Sequence, residues 1–258
     1  KKLDEILEEI PIIDIKKKNF AIRLIKRNGI SEKEVAIKLG EKIPKINKIN
    51  LSKPDIKILY YSNKKTIISL WESDSETYYT KCLKHHIRYR PFFSPISIHP
   101  RISRSMVNLS NSAKGDKVMD PFCGTGGILI EIADMQIKAI GIDILGKMVE
   151  KSTGNLKHYN LKGIVVKGDI EDAKNYDFKA IVTDPPYGLS TTTKGEGVER
   201  LMSRSMEIFG RNMKRNQRVV MAVSNPKLIN SKKFTLIHKF EWYIHKSLTR
   251  YILVLERN

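Results

Sequence analysis

Cysteine is scarce in this 258-residue sequence, which contains two, Cys82 and Cys123. Two thiols cannot build a disulfide framework and cannot form a zinc site by themselves, which favours a reducing compartment, the cytoplasm. Long apolar runs are lacking as well, since no stretch approaches the roughly 18 apolar residues of a membrane-spanning helix. With 41% hydrophobic and 29% charged residues, the composition is that of a globular protein without a membrane partner.

Acidic residues are few relative to basic ones: 28 Asp and Glu stand against 47 Lys and Arg, giving a formal net charge of +19. Residues 81–112 carry six basic residues and no acidic one, and residues 211–258 carry 11 basic and two acidic ones. Residues 113–210 carry 13 basic and 14 acidic ones. A general bias towards lysine would spread evenly, so the pattern favours a nucleic-acid partner whose phosphates are bound by the two basic segments.

The first 78 residues predict a small α+β domain. Its predicted elements are a helix at 1–10, a strand at 19–25, a helix at 32–39 and a hairpin of strands at 56–61 and 66–71. Ser31 and Glu34 have the spacing of a capping box at the start of the second helix. Residues 79–93 are basic and contain Pro91, and we interpret them as a linker to a second domain at 94–258.

In the second domain, strand patterns and helix patterns alternate. The predicted strands are 117–120, 139–143, 163–167, 180–184, 218–224, 234–245 and 247–256, and the predicted helices are 102–111, 124–134, 147–159 and 197–214. This order predicts a Rossmann-like α/β fold, a parallel sheet with helices on both faces, finished by an antiparallel hairpin. Ligands of such sheets bind at the carboxyl ends of the strands, where the strand order reverses.

Asp120 ends the first strand of this domain and is followed by the glycine turn of Gly124 and Gly126. Glycines let the backbone pass close under a nucleoside, and the N-terminus of the next helix offers free N–H groups. A glycine turn alone also occurs in dinucleotide enzymes and in plain tight turns. The carboxylate of Asp120 would repel a pyrophosphate, but it suits a positively charged amino group such as that of S-adenosylmethionine.

Two further acids follow at the next two strand ends. Asp143, 17 residues beyond Gly126, is placed to accept both ribose hydroxyls of an adenosine. Asp169 is placed to accept from an adenine amino group. Each acid alone is as compatible with a solvated strand end or a loop cap, but three at consecutive strand ends favour an adenosine-containing cofactor.

The sequence Asp184-Pro185-Pro186-Tyr187 follows a buried strand. An exocyclic amine on a nucleobase is a poor nucleophile because its lone pair is delocalised into the ring. The Asp184 carboxylate and the Pro185 carbonyl could accept the two amine hydrogens and direct the lone pair at a methyl donor, while the prolines fix the backbone. Tyr187 would stack on the face of an unstacked base. The alternative is a proline-rich turn without a chemical role.

The segments DPFCGTGG, GID, GDIED and DPPYG together resemble the consecutive motifs of class I amino-methyltransferases, over roughly residues 95–256. The resemblance implies S-adenosylmethionine as cofactor and a catalytic set of Asp184, Pro185, Pro186 and Tyr187. The cofactor-binding residues that it implies are His99, Asp120, Pro121, Phe122, Gly124, Thr125, Gly126, Asp143, Ile144, Asp169, Ile170 and Asp184.

Other segments narrow the resemblance. Residues 90–101 and 106–109 resemble the segment that closes over the methionine end of the cofactor in tRNA guanine-N2-methyltransferases. The loop at 189–197 resembles that of the archaeal enzymes acting on guanosine 10 of tRNA. Residues 20–23 and 51–55 resemble the THUMP domain of RNA-modifying enzymes, which recognises the acceptor end of tRNA. The resemblance also implies that this domain is incomplete here, because family members usually begin with a ferredoxin-like segment.

The resulting prediction is methyl transfer from S-adenosylmethionine to N2 of a tRNA guanine, with position 10 favoured and one or two methyl groups added. We expect a monomer without a metal site, and the sequence leaves open whether a small activator protein is required, as in some relatives. The alternatives are guanine-N2 methylation at tRNA position 6 or in rRNA, a DNA adenine-N6 methyltransferase, a non-catalytic RNA-binding subunit and a dinucleotide oxidoreductase. The presence of Asp143 and Asp184 disfavours the non-catalytic subunit, and Asp120 disfavours the oxidoreductase.

Overall fold

The structure is a computed structural model. It describes residues 12–13, 15–16, 18–26, 31–62, 66–72, 83–95, 97–186, 197–246 and 248–258. The helix that the sequence predicts at residues 1–10 lies outside these ranges. The chain divides into two compact units, residues 1–81 and 82–258, and each is described by itself.

The smaller unit contains a three-stranded sheet and one helix within its described residues. The strands β1 (Phe20–Lys26), β2 (Ile56–Ser62) and β3 (Thr66–Glu72) lie in the order β1-β2-β3, and helix α1 spans Glu32–Glu41. β1 and β2 are parallel and β2 and β3 antiparallel, so the predicted hairpin is confirmed. Apolar residues from all of these elements form one core, with Val35, Leu39 and Ile58 fully buried.

The capping box predicted at Ser31 and Glu34 is wrong. Ser31 is the N-cap residue of α1 and has extended backbone angles, but its side chain makes no capping hydrogen bond. The Glu34 carboxylate instead contacts the Lys38 ammonium at 3.4 Å, one helical turn further on. The spacing of a capping box is therefore present without its reciprocal hydrogen bonds, because a cation one turn away takes up the acid.

The larger unit is built on a seven-stranded sheet of order β6-β5-β4-β7-β8-β10-β9. Its strands are β4 (Lys117–Asp120), β5 (Lys138–Asp143), β6 (Gly163–Lys167), β7 (Ala180–Thr183), β8 (Arg218–Val223), β9 (Phe234–His245) and β10 (Leu248–Arg257). Its helices are α2 (Pro100–Leu109), α3 (Gly127–Asp134), α4 (Gly146–His158) and α5 (Val198–Asn212), with short 3₁₀ helices at Ile87–Tyr89, Ile170–Asn175 and Pro226–Leu228. The strands β4 to β8 are parallel, and β10 is antiparallel to both β8 and β9. The predicted α/β architecture and its terminal hairpin are confirmed.

Alternating side chains of the central strands fill two cores, one on each face of the sheet. In β4, Val118 belongs to the core that α2 and α3 cover, and Met119 belongs to the core that α5 covers. Both side chains are fully buried. Burial of an apolar side chain of this size contributes roughly 1.5–3 kcal/mol, and the twofold period of a strand distributes that gain over both faces. The two cores hold β4 and β7 at the centre, where the strand order reverses.

Part of the segment interpreted as a linker packs into the larger unit. The ring nitrogen Nδ1 of His85 contacts Glu131 Oε1 at 2.9 Å, and Arg104 Nε lies 3.1 Å from Glu131 Oε2. Arg90 donates from Nε to the His85 carbonyl at 2.9 Å. Because Arg90 and Arg104 are buried, the prediction that residues 81–112 grip phosphates now rests on exposed side chains, namely Lys84, Arg88 and Arg101.

His85, Glu131 and Asp134 bring one potential metal-ligand atom each to within 4.8 Å of the others. The Arg104 guanidinium contacts the carboxylates of both Glu131 and Asp134. A cation of the protein itself therefore pairs with both acids, and the group is an internal ion-pair cluster that fastens α2 and residues 83–90 to α3.

Candidate active site

A cavity of about 500 Å³ opens at the carboxyl edge of the sheet, where β4 and β7 diverge. Its lining comes from the ends of β4, β5 and β7, from the turns that follow these strands, and from α2 and α5. The residues that line it include Ser97, Ser103, Asp120, Pro121, Phe122, Gly124, Thr125, Asp143, Ile144, Asp169, Ile170, Asp184, Pro186 and Arg204. A volume of this size suits a nucleoside-sized ligand.

The turn after β4 passes closely beneath this cavity. Gly124 and Gly126 have φ angles of +52° and +81°, in the left-handed region that disfavours any residue with a Cβ. A Cβ on Gly126 would also lie 2.4 Å from the Ser152 hydroxyl oxygen on α4. Both positions therefore require glycine because of the backbone angle, and Gly126 because of close packing as well.

Asp120 lies at the tip of β4 and is 2% exposed. Its Oδ1 accepts hydrogen bonds from the Thr183 hydroxyl at 2.6 Å and from the Phe122 amide at 3.2 Å. Burial raises the pKa of Asp120 to about 7, although these two hydrogen bonds favour the carboxylate. A buried carboxyl of this kind is stabilised as an anion by a cationic ligand group in the cavity.

Asp143 lies at the tip of the neighbouring strand β5. Its Oδ2 accepts from the Gly124 amide at 2.9 Å, and its Oδ1 accepts from the Leu145 amide at 2.9 Å. These bonds fix the carboxylate on the floor of the cavity, next to the glycine turn. Burial raises the pKa of Asp143, and the two amides act in the opposite direction.

Asp169 lines the cavity, and its carboxylate has two partners from the chain. Its side chain accepts from the Glu171 amide at 3.1 Å and caps the 3₁₀ helix that follows β6. Arg204 on α5 contacts Oδ1 and Oδ2 through its two terminal nitrogens, at 2.6 and 3.1 Å. Asp169 is therefore the loop cap that the sequence offered as one of two interpretations, and it also forms a bidentate ion pair with Arg204 that the sequence did not predict.

Asp184 follows β7 and faces the same cavity. Arg250, at the start of β10, contacts Asp184 Oδ2 through Nη1 at 3.5 Å. Burial raises the pKa of Asp184 to about 8, the Arg250 charge lowers it, and the negative charge of Asp120 raises it. Pro185 is buried, Pro186 lines the cavity, and Tyr187 with the loop up to residue 196 lies outside the described residues.

A second wall of the cavity comes from the segment before α2. The Asn155 side chain on α4 donates to the Phe92 carbonyl at 2.6 Å and to the Thr125 carbonyl at 2.8 Å, which ties this segment to the glycine turn. The hydroxyl oxygens of Ser97 and Thr125 are 3.3 Å apart. The Ser103 hydroxyl lines the cavity, is buried, and has no hydrogen-bond partner among the described residues.

Most of the residues predicted from the sequence meet in this one cavity. Of those that the structure describes, His99, Gly126 and Pro185 are not among the residues that line it. His99 is instead the N-cap residue of α2, and its Nδ1 accepts from the Arg101 amide at 3.2 Å. Sequence reasoning missed Arg204 and Arg250, because each lies far along the chain from the acid that it contacts.

Comparison with known proteins identifies the families that this chain resembles. The model of the RMKL-like methyltransferase domain family, UPF0020, matches residues 88–242, and a DNA methylase family model matches residues 5–153. The tRNA (guanine(10)-N2)-dimethyltransferase of Methanothermobacter thermautotrophicus is 34% identical over 99% of this chain and 78% of its own length. The enzyme of the same name from Methanocaldococcus jannaschii is 35% identical over 96% of this chain and 73% of its own length.

The chain belongs to the tRNA (guanine(10)-N2)-dimethyltransferase family. Among solved structures, TrmN from Thermus thermophilus has a TM-score of 0.57 and 16% identity, covering 99% of this chain and 77% of its own. At that identity the likeness shows the shared fold. None of the helices among the described residues is both long and apolar enough to cross a membrane.

Proposed function

We propose that this chain transfers methyl groups from S-adenosylmethionine to the exocyclic N2 of guanine 10 in tRNA, adding one or two. The observation that carries the proposal is the meeting of Asp184 with Asp120 and Asp143 around one cavity at the point where the strand order reverses. The names of the family members from the two methanogens specify the guanine and its position. N2 methylation at tRNA position 6 or in rRNA would use the same chemistry. An assay that offers each substrate in turn distinguishes these activities from methylation at position 10.

The residues around the cavity fit S-adenosylmethionine. Asp143, held by two backbone amides, offers carboxylate oxygens to the ribose hydroxyls. Asp120 offers a buried carboxyl to the methionine ammonium, and the buried Ser103 hydroxyl, which has no partner in the described part of the chain, needs a polar group from a ligand. The glycine turn lets the backbone approach the nucleoside. When bound, this cofactor supplies an electrophilic methyl group on a sulfonium sulfur.

Asp184 and Pro185 would act on the guanine amine. The Asp184 carboxylate and the Pro185 carbonyl accept its two hydrogens, which localises the nitrogen lone pair for in-line attack. Bound S-adenosylmethionine would supply the methyl group, and its sulfur would keep the electron pair of the carbon–sulfur bond as the amine nitrogen took the methyl carbon. The amine proton leaves after attack, to Asp184 or to water, so no strong general base is needed. Tyr187 would hold the unstacked base.

The partner that we propose is tRNA, bound by a monomer in the cytoplasm. The +9 charge balance of residues 211–258 and the exposed basic residues of 83–104 supply phosphate contacts. We further propose that residues 1–78 act as a THUMP-like RNA-binding domain. Whether a small activator protein stimulates the reaction is decided by comparing the purified chain with the chain in a cell extract.

A DNA adenine-N6 methyltransferase is the second candidate, because a DNA methylase family model matches residues 5–153. That match ends before Asp184, so it leaves out the motif that acts on the acceptor amine. Chemistry at an adenine amine would require the same acceptors as at guanine. The difference therefore lies in which polymer and which base enter the cavity.

The test uses labelled S-adenosylmethionine with four substrates: an unmodified tRNA transcript, the same transcript with adenosine at position 10, rRNA and duplex DNA. We expect N2-methylguanosine and N2,N2-dimethylguanosine in the first transcript and no label in the second. Label in both transcripts would move the site away from position 10. Label in DNA adenine or in rRNA alone would refute the tRNA assignment.

A further inference from the structure

Arg250 occupies a defined position beside the acceptor motif. It lies at the start of β10, which is antiparallel to β8, so this end of β10 belongs to the same edge of the sheet as the end of β7. Its Nη1 lies 3.5 Å from Asp184 Oδ2, and the Arg250 and Asp184 side chains are 11% and 18% exposed. An ion pair this sheltered interacts more strongly than one at the surface.

The guanidinium of Arg250 also contacts the indole ring of Trp242. The two residues are cross-strand partners in β9 and β10, and the guanidinium carbon lies 5.6 Å from the centre of the indole ring. The indole packs against the apolar core on one face of the sheet. This cation–π contact restricts where the guanidinium can go, and it places a fixed positive charge next to the acid.

We propose that Arg250 is a positioning residue for methyl transfer, orienting the Asp184 carboxyl and favouring its anionic form, which can accept from the substrate amine. The inference rests on the proposed function for its catalytic meaning. Its structural content is that the Arg250 guanidinium contacts the Asp184 carboxyl and lowers the pKa of that carboxyl. A protonated Asp184 would have a hydrogen on one oxygen and would be a weaker acceptor.

The charges around Asp184 show why such a residue is needed. Burial has the largest effect and raises the pKa of Asp184, Arg250 from β10 lowers it, and Asp120 from β4 raises it further. Asp143 on β5 is a further acid around the cavity, and the acid Asp169 there is matched by Arg204 on α5. Loss of the Arg250 charge would therefore raise the pKa of Asp184 above about 8, so less carboxylate would be present at neutral pH.

The experiment combines kinetics with a direct titration. At pH 7, Arg250→Gln is expected to lower kcat on tRNA by a factor on the order of 10 to 100, because each pKa unit changes the ionised fraction about tenfold. Activity should recover as the pH rises to 9. Arg250→Lys, which retains the charge, should keep most of the activity. A loss of kcat that is equal at all pH values would overturn the proposal.

The titration uses the full chain without substrate or cofactor. Carbon-13 NMR of aspartate carboxyls, with the Asp184 signal assigned from its disappearance in Asp184→Asn, should give a higher pKa in Arg250→Gln than in the wild type. Lys239→Gln is the matched control, since Lys239 makes a similar cation–π contact with Tyr251 at 5.4 Å in the same hairpin. It should leave the Asp184 signal unchanged.

The kinetics on tRNA and the carbon-13 titration distinguish failure of the proposed function from failure of the role assigned to Arg250. A wild-type chain that methylates no tRNA would remove the proposed function, yet the titration would still decide whether Arg250 sets the ionisation of Asp184. An unchanged pKa in folded Arg250→Gln protein would refute the inference even if the enzyme proved active on tRNA. Circular dichroism of each variant shows whether it is folded.

Discussion

Asp120→Asn should make the cofactor-free larger unit more stable at alkaline pH, even though it removes a proposed cofactor-binding residue. Burial raises the pKa of Asp120 from 3.8 to about 7. A raised carboxyl pKa means that the folded state holds a proton that the unfolded state releases. The associated stability is therefore present below pH 3.8 and is lost as the pH rises through about 7. An amide carries no charge, and it keeps an oxygen that can accept from Thr183 and Phe122.

The magnitude follows from the same linkage. At 1.36 kcal/mol per pKa unit, the Asp120 carboxyl lowers the free energy of unfolding by roughly 1.5 kcal/mol at pH 5, relative to an uncharged group. At pH 8 it lowers the free energy of unfolding by roughly 4 kcal/mol. The difference between the Asp120→Asn and wild-type free energies of unfolding should therefore grow by about 2–3 kcal/mol from pH 5 to pH 8. The comparison at a single pH cancels the titrating groups that do not interact with Asp120, so the change with pH reports on Asp120 together with Asp184, whose pKa Asp120 raises.

The assay is urea unfolding of the cofactor-free chain at both pH values. The chain has two tryptophans, and a Trp71→Phe background leaves Trp242 to report on the larger unit. Asp116→Asn is a control, because the half-buried Asp116 lies just before β4, at the opposite end of that strand from Asp120. It should show no comparable growth with pH. An Asp120→Asn effect that is the same at pH 5 and pH 8 would refute the reasoning.

The remaining predictions concern cofactor binding and the glycine turn. Arg204→Gln should weaken S-adenosylmethionine binding several-fold in calorimetry, because Arg204 fixes the carboxylate of Asp169. Arg211→Gln, on the exposed side of the same helix, should not change the affinity. Equal affinities in the wild type and both variants would contradict this prediction. Gly126→Ala should lower the thermal midpoint, at a cost of about 1–3 kcal/mol for the strained backbone. Adding Ser152→Ala should relieve the contact but not the φ angle of +81°, so full recovery in the double variant would show that backbone strain is unimportant there.

The sequence allowed good prediction of the centre of the larger unit because β4, β5, β7 and β8 are short buried runs, whereas β6 and β9 are largely exposed or half-buried. The predicted strand 117–120 matches β4, and the predicted strand 163–167 matches β6. Helix starts were less accurate. The helix predicted from Gly124 begins at Gly127, because Gly124 and Gly126 have left-handed backbone angles that no α-helix accommodates.

Ion pairs between distant elements could not be predicted in the same way. Arg204 is 35 residues from Asp169, and Arg250 is 66 residues from Asp184. Their meeting depends on how α5 and β10 pack against the sheet, and no local pattern encodes that geometry. The spacing of Ser31 and Glu34 was misleading for a related reason, because Lys38 contacts the Glu34 carboxylate that a capping box would use.

The measurement that tests the central claim most directly is single-turnover methyl transfer by the wild type and Asp184→Asn. Both proteins are loaded with labelled S-adenosylmethionine and mixed with excess unmodified tRNA transcript, and the cofactor affinity of each is measured beforehand. The account predicts that the amide variant still binds the cofactor but forms N2-methylguanosine at least about a hundredfold more slowly, because the amide is a weaker acceptor and cannot take the amine proton. A variant that binds the cofactor and methylates tRNA at the wild-type rate would contradict the assignment of Asp184 as the acceptor of the guanine amine.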